Sequence, residues 1–365
     1  MLTRLYLDNF RCFVNFEYRP PRKQLIVGAN GSGKSTMLVA LLTLRNFATS
    51  GESVDKVFFP MNRTRWMNQP DQTWEIEVRF DERTYAYRLV IEFVGDPLRP
   101  RVKSEGVHCD DKPIFELTEG EVHLFNDRFE QTNTFPFDPV RSGLPMVPLL
   151  KDYSLLTRFR MWMSNLHGFR LNPFAMEWKA EREDATPTLT LQNFAAWYRH
   201  LVQTFPRENA AFLAGLAEVV DEISYLRLAA VGENAKILMA DLSGAQAGTM
   251  MFNELSDGQR CLIGLYAILH FVLARGGTVI LDEPDNFVSL REIQPWLTAL
   301  EDTVENGNGQ ALIISHHPEF INQWAPGGVR FYRDGSGPVR VEEFRADGST
   351  ALTPAELVAR GWERE

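Results

Sequence analysis

Cysteine is nearly absent, with Cys12, Cys109 and Cys261 the three in 365 residues. They form no CxxC pair, so neither a disulfide framework nor a zinc site is suggested. Cys12 and Cys261 sit among apolar residues, the usual setting of buried free thiols. Long apolar runs are missing too. No stretch approaches the roughly 18 residues of a spanning helix, and the opening MLTRLYLDNF lacks the apolar centre of a secretion signal. Together these absences predict a cytoplasmic protein with no membrane partner. The third shortage is positive charge: 38 Lys and Arg face 48 Asp and Glu, a net charge of −10. That excludes a chain that coats nucleic acid through global phosphate neutralisation. A local basic groove is still open to it, at RPRVK (99–103) or RFR (158–160), although short basic clusters are usually solvated surface.

What the chain does have is ordinary globular material, 44% hydrophobic and 24% charged. It is long enough for two or three lobes. LTRLYLDNF and VNFEY alternate as strands do, and QLIVG is a short buried run ending in glycine. From Gly33 to Phe47 the pattern becomes helical. Alternating segments with turn signals then predict an antiparallel meander from about 73 to 126. The stretch from 135 to 250 reads as mostly helical, led by LQNFAAWYRHLVQTF and NAAFLAGLAEVVDEI. After 250 the expected order is helix 257–274, strand TVILD, helix REIQPWLTALEDTVEN and strand QALIIS. This divides the chain into an N-terminal lobe (1–134), a helical insertion or lid (135–250) and a C-terminal lobe (251–365).

GANGSGKST, from Gly28 to Thr36, fits G-x-x-x-x-G-K-[ST] between an apolar strand and a helix, the context that gives this motif weight. Glycines let successive backbone N–H groups curl around a β-phosphate, and the helix start adds a favourable dipole. Gly28, Ala29, Asn30, Gly31, Ser32, Gly33, Lys34, Ser35 and Thr36 are therefore candidate nucleotide-binding residues. Lys34 would meet the β- and γ-phosphates, and the Ser35 hydroxyl could ligate Mg²⁺.

TVILDEPDNF ends a buried strand in two adjacent carboxylates, costly there unless used. Asp282 is the candidate for Mg²⁺, and Glu283 for polarising the water that attacks the γ-phosphate. ALIISHHPEF ends another buried strand in two histidines that must face opposite ways. His316, next to the strand, is the better catalytic candidate, and His317 before Pro318 reads as turn. NELSDGQRC offers a second anion seat, because Ser256 and Asp257 are N-cap types and Gly258 permits close backbone approach.

Taken in this order, the phosphate loop, LSDGQR, ILDEPDN and ISHHP resemble the ABC-type ATPases. Within them the chain is similar to the RecF/SMC/OLD-like soluble branch. LYLDNFRCF resembles the NFR-x-F start of RecF-like heads, SHHPEFI is similar to that branch's THSPEFI form, and the stretch from Lys34 to Ser256 is longer than a transporter cassette needs. The resemblance implies an α/β fold, a P-loop NTPase with an antiparallel β subdomain and a helical insertion. It implies ATP and Mg²⁺ as cofactors, with Ser35 and Asp282 placing the metal, Glu283 activating water and His316 sensing the γ-phosphate. Asn9 to Arg11 would lie near the nucleotide, so Arg11 joins the candidate binding residues. Ser256, Gly258 and Gln259 would contact the nucleotide of a second copy, and Asp285 and Asn286 would cross that homodimer interface. Asp257 stands where transporters often carry glycine. The glutamine that links Mg²⁺ to the lid has no clear match among Gln69, Gln72 and Gln131.

Two readings of the activity follow. One is an ATP-hydrolysing dimer that clamps a substrate, DNA included, in DNA maintenance or anti-phage defence. The other is the regulatory ATPase of a two-component defence or toxin–antitoxin-like system. OLD-like enzymes often carry a fused nuclease, and too few residues follow His316 for one, so a nuclease or other effector is expected on a separate protein.

Overall fold

Alternation of buried and exposed side chains sets the first sheet of this computed structural model, which describes residues 1–220, 222–244, 247–344 and 352–360. The chain forms two units, one built on Met1–Leu166 and Gly328–Phe344, the other on His167–Gly327 with a C-terminal helix.

The first unit begins with strands β1 (Leu2–Asp8), β2 (Phe16–Tyr18) and β3 (Lys23–Val27), then helices α1 (Lys34–Ser50) and α2 (Val54–Val57). A meander follows: β4 (Asp71–Phe80), β5 (Arg83–Val94), β6 (Arg99–Cys109), β7 (Lys112–Thr118), β8 (Glu121–Phe125) and β9 (Gln131–Pro136), after which comes helix α3 (Ser154–Ser164). The sheet runs β2-β1-β4-β5-β6-β7-β8-β9, antiparallel throughout. Its hairpins turn on residue pairs with positive φ: Asp81 and Glu82, Asp110 and Asp111, Glu119 and Gly120. Two left-handed residues match the twist of the flanking strands, which explains the short polar turns. Trp74, Ile76 and Val78 of β4 are fully buried. Phe58 and Phe10 close on the Trp74 ring at 5.6 and 4.6 Å. The buried stripe of α1 (Met37, Leu41, Leu44, Phe47) follows helical spacing.

The chain enters the second unit along β10 (Leu166–Phe169), followed by β11 (Lys179–Ala180), helices α4 (Phe194–Thr204) and α5 (Pro206–Ala217), and strands β12 (Ile223–Val231), β13 (Ala235–Leu242) and β14 (Gly248–Met251). Next come helix α6 (Asp257–Ile268), prolonged by a π-helical turn, β15 (Thr278–Asp282), helix α7 (Leu290–Asn306), β16 (Gln310–Ile314) and helix α8 (Pro318–Trp324). β15 and β16 are parallel and completely buried, in register from Thr278 beside Gln310 to Asp282 beside Ile314. Helix α6 is buried on every side from Cys261 to Ile268. The stretch from 135 to 250 is less helical than its composition predicts. It holds α3, α4 and α5, but β12, β13, β11 and β14 build an antiparallel sheet of their own. The pairing of β12 with β13, from Ile223 beside Leu242 to Val231 beside Ala235, won over the helix propensity of their Ala and Leu.

β17 (Val329–Arg333) and β18 (Val339–Glu343) return to the first unit. β17 lies parallel to β3, Val329 beside Ile26 and Arg330 beside Val27, and antiparallel to β18. Helix α9 (Pro354–Arg360) belongs with the second unit, where Ala355 N–H donates to the Asn322 side chain. Among the described residues no helix is long and apolar enough to cross a membrane.

Candidate functional site

In the first unit the loop after β3 is shaped by three glycines with positive φ, Gly28, Gly31 and Gly33. A Cβ on Gly28 would stand 2.2 Å from the Phe331 carbonyl oxygen of β17, so β17 itself dictates glycine there. A Cβ on Gly31 meets nothing within 4 Å, which leaves open space over the crest formed with exposed Ala29 and Asn30. Buried Lys34 curls back, its ammonium donating to the carbonyls of Gly28 at 2.5 Å and Ala29 at 3.2 Å. Ser32 Oγ is buried without a hydrogen-bond partner among the described residues. Ser35 and Thr36 are half-buried in the first turn of α1, a turn with no acidic residue and no side-chain cap. Its N–H groups precede the first intrahelical bond, Met37 N–H to Gly33 O, and so form an anion seat with no internal anion.

Beside this loop lies a cavity of about 390 Å³ whose lining includes Arg11, Cys12, Arg63, Arg65, Trp66 and Arg333. Trp66 is half exposed and the Arg333 guanidinium sits 5.8 Å from its ring centre. Burial pushes the Cys12 thiol upward against the opposing pull of Arg333 and a hydrogen bond with Thr36. Arg11 is anchored to Asn62 through its backbone N–H and its Nε. Asn9 is fully buried, and its amide ties Gln69 O, Asp71 O and Thr64 N–H together, a structural clamp. These arginines, far apart in sequence except Arg63 and Arg65, carried no local signal that they converge.

In the second unit β15 and β16 end side by side. Asp282 is buried and paired with Arg170, whose Nε donates to Oδ2 at 2.8 Å and whose Nη2 donates to the same oxygen. Glu283 adopts φ 52, a left-handed conformation expensive for a non-glycine residue and held by its N–H donating to Ile314 O at 2.8 Å. Its Oε1 lies 3.8 Å from His316 Nε2. The two groups singled out as water activator and sensor thus face each other. His317 caps α8, its Nδ1 accepting from Glu319 N–H, and packs edge-on against Phe320. Ser315 Oγ donates to Asp285 at 2.7 Å, tying the loop after Glu283 to the β16 tip.

Ser256 caps α6. Its Oγ accepts from Gln259 N–H while Gln259 Oε1 accepts from Ser256 N–H, a reciprocal capping box. The backbone approach allowed by Gly258 is to the Phe287 carbonyl, 2.9 Å from where a Cβ would stand. Phe287 is itself left-handed at φ 73, and its ring meets Phe174 edge-on at 5.6 Å. Arg170 and Phe174 were not singled out by sequence. The one trace was the buried run LHGF ending in a charged residue before Asn-Pro.

The glutamine candidates have other roles. Gln72 is buried and donates to the carbonyls of Asn9 and Asn62. Gln131, on exposed β9, bonds Thr134 and His123. Gln69 contributes its backbone oxygen to Asn9 and Arg63. The basic clusters are largely spent within the fold: Arg101 pairs with Glu92, Lys103 with Asp71 and Arg158 with Asp81, while Arg160 donates to Val147 O.

Residues 180–322 match the family described as "AAA domain, putative AbiEii toxin, Type IV TA system", and residues 4–132 match one described as "AAA domain". Among solved structures, an SMC head bound to the C-terminal winged-helix domain of ScpA is similar at 12% identity and a TM-score of 0.58. That similarity covers 96% of this chain and 99% of the other. In fold, the chain is SMC-head-like, a mixed α/β P-loop architecture. A second SMC head with an extended coiled coil, bound to the C-terminal domain of ScpA from Pyrococcus furiosus, aligns over 99% of this chain and 98% of its own. There the identity is 12% and the TM-score 0.51. No curated protein matches.

Proposed function

We propose that this chain binds and hydrolyses MgATP in the cytoplasm and that two copies close around two nucleotides. The observation that carries the reading is the strained Glu283 carboxylate facing His316 at the tips of two buried parallel strands. Unlike Glu82 and Glu119, which sit in hairpin turns, Glu283 is left-handed where β15 leaves the sheet, and backbone strain of that kind collects at reacting centres.

The residues fit the groups this fold uses. The open crest over Gly31, the orphaned Ser32 hydroxyl and the uncapped start of α1 suit a polyphosphate. The arginine-lined cavity with Trp66 suits the remainder of the nucleotide, with Arg11 among its contacts. Ser35 and Asp282 are hard oxygen donors of the kind Mg²⁺ takes alongside phosphate oxygens. A metal held by them would neutralise charge on the phosphates. Lys34 would leave its loop carbonyls for the β- and γ-phosphates. Glu283 would orient and polarise the attacking water, and His316 would hold the γ-phosphate as its bond to the bridging oxygen breaks. Ser256, Gly258 and Gln259, at the start of α6, would complete the partner's site, with Asp285 and Asn286 at the interface.

The role we assign to the cycle is a switch or clamp in DNA maintenance or anti-phage defence. A second reading, the regulatory ATPase of a two-component defence system with its effector on another protein, is favoured by the toxin–antitoxin description of the family matching 180–322. In either case Glu283→Gln should retain ATP binding, lose hydrolysis and elute as a dimer only with MgATP. Ser256→Asp keeps the helix cap but opposes a partner's phosphate, and should abolish dimer and hydrolysis together. A Glu283→Gln protein that stays monomeric at saturating MgATP would refute the closed dimer.

A further inference from the structure

Arg170 opens the loop after β10, the strand next to β15 in the sheet. Both its hydrogen bonds to Asp282 fall on one oxygen, Oδ2. The Asp282 side chain is 2% exposed whereas that of Arg170 is 53% exposed. A fixed, enclosed carboxylate is thus gripped by a cation that can swing into solvent.

The same short loop reaches the other motifs of this unit. Pro173 O accepts from Arg260 Nη1 at 2.7 Å, and Arg260 also pairs with Asp257 in the first turn of α6. Phe174, one of the most exposed large apolar residues at 72%, rests edge-on against Phe287 in the loop after Glu283. Asn172 Oδ1 accepts from Phe174 N–H, which braces the turn between those contacts. Residues 170–174 therefore join the Asp282 carboxylate to the start of α6 and to the loop bearing Asp285.

We propose that Arg170 is a tethered cation that competes with Mg²⁺ for Asp282, and that its displacement moves the 170–174 loop against the start of α6 and Phe287. The inference rests on the MgATP reading above. Oδ2, which accepts two N–H bonds, has little lone-pair capacity left for a dication, and a dication taken by Oδ1 of the same carboxylate would still repel the guanidinium at such range. Metal loading must therefore weaken the Arg170 contact. Pro173 and Phe174 share its short loop, so that change reaches both surfaces proposed to meet a second copy. Arg170 acts here as a positioning residue.

The test measures ATP binding calorimetrically at buffered free Mg²⁺ concentrations for wild type, Arg170→Gln and Arg170→Lys. The Mg²⁺ concentration at half-effect should fall about fivefold in Arg170→Gln, the scale of a charge pair open to water on one side. Arg170→Lys, with one compact charge and no fork, should fall about twofold, and it carries the test alone if the glutamine variant does not fold. Amide hydrogen exchange across 170–175 in wild type should quicken with ATP plus Mg²⁺ relative to ATP plus EDTA. If wild type binds MgATP but neither variant lowers the midpoint, or exchange does not quicken, the competition is wrong and the ATPase reading stands. If wild type binds no ATP at any Mg²⁺ concentration, both fall together.

Discussion

Replacing Gly258 by alanine sets two effects of opposite sign against each other. Gly258 is the second residue of α6, with its φ outside the left-handed region. Judged by helix propensity alone, alanine would stabilise by up to about 1 kcal/mol. The new Cβ, however, would lie 2.9 Å from the Phe287 carbonyl oxygen, where ordinary contact begins near 3.4 Å. That oxygen is backbone, on a residue already at φ 73, so it cannot turn aside as a side-chain tip would. Overpacking of this kind costs about 1–3 kcal/mol. The overlap outweighs the propensity gain, and we expect a net loss of about 1 kcal/mol, a fall of about 1 °C in Tm for a chain of this size. Hydrolysis should fall as well, because Gly258 is proposed to help complete the partner's site. Differential scanning calorimetry and a steady-state phosphate-release assay on the same preparation read both effects. A raised Tm with unchanged hydrolysis would show that the Phe287 carbonyl yields freely, and would refute the argument.

Gln72→Leu removes the donor to two backbone carbonyls and should cost about 1–3 kcal/mol in urea unfolding, with hydrolysis per folded molecule unchanged. Loss of hydrolysis from a protein of wild-type stability would instead return Gln72 to the metal-linking role. Burial holds His270 below its ordinary value of 6.5, where its ring lies over Tyr266 and meets Phe212 edge-on. Since the folded pKa is the lower one, the unfolded chain takes up the proton first, and stability is lost as pH falls from about 6.5 toward the folded value. The urea midpoint of wild type should therefore drop further between pH 7.5 and 5.5 than that of His270→Gln, and equal drops would remove His270 as a contributor.

Local chemistry was legible in the sequence because it needs only neighbours along the chain. Glycine spacing at Gly28, Gly31 and Gly33, apolar runs ending in Asp282–Glu283 and in Ser315–His316, and the Ser256 cap are all set within one turn or strand. The antiparallel meander was equally readable, since alternation and paired turn residues specify hairpins without help from elsewhere. The small sheet inside 135–250 was not, because its strands are rich in Ala and Leu and their pairing decides against the helix. Side-chain partners were beyond reach for the same reason. Arg170 meets Asp282 across 112 positions. Gly258 is required by the carbonyl of Phe287, and Arg11 and Arg333 reach one cavity from opposite ends of the chain. The sequence by itself determined which groups are candidates for phosphate chemistry. Only the tertiary structure decided which of them were already engaged, because a buried charge or a close backbone contact takes its partner from whatever the fold brings near.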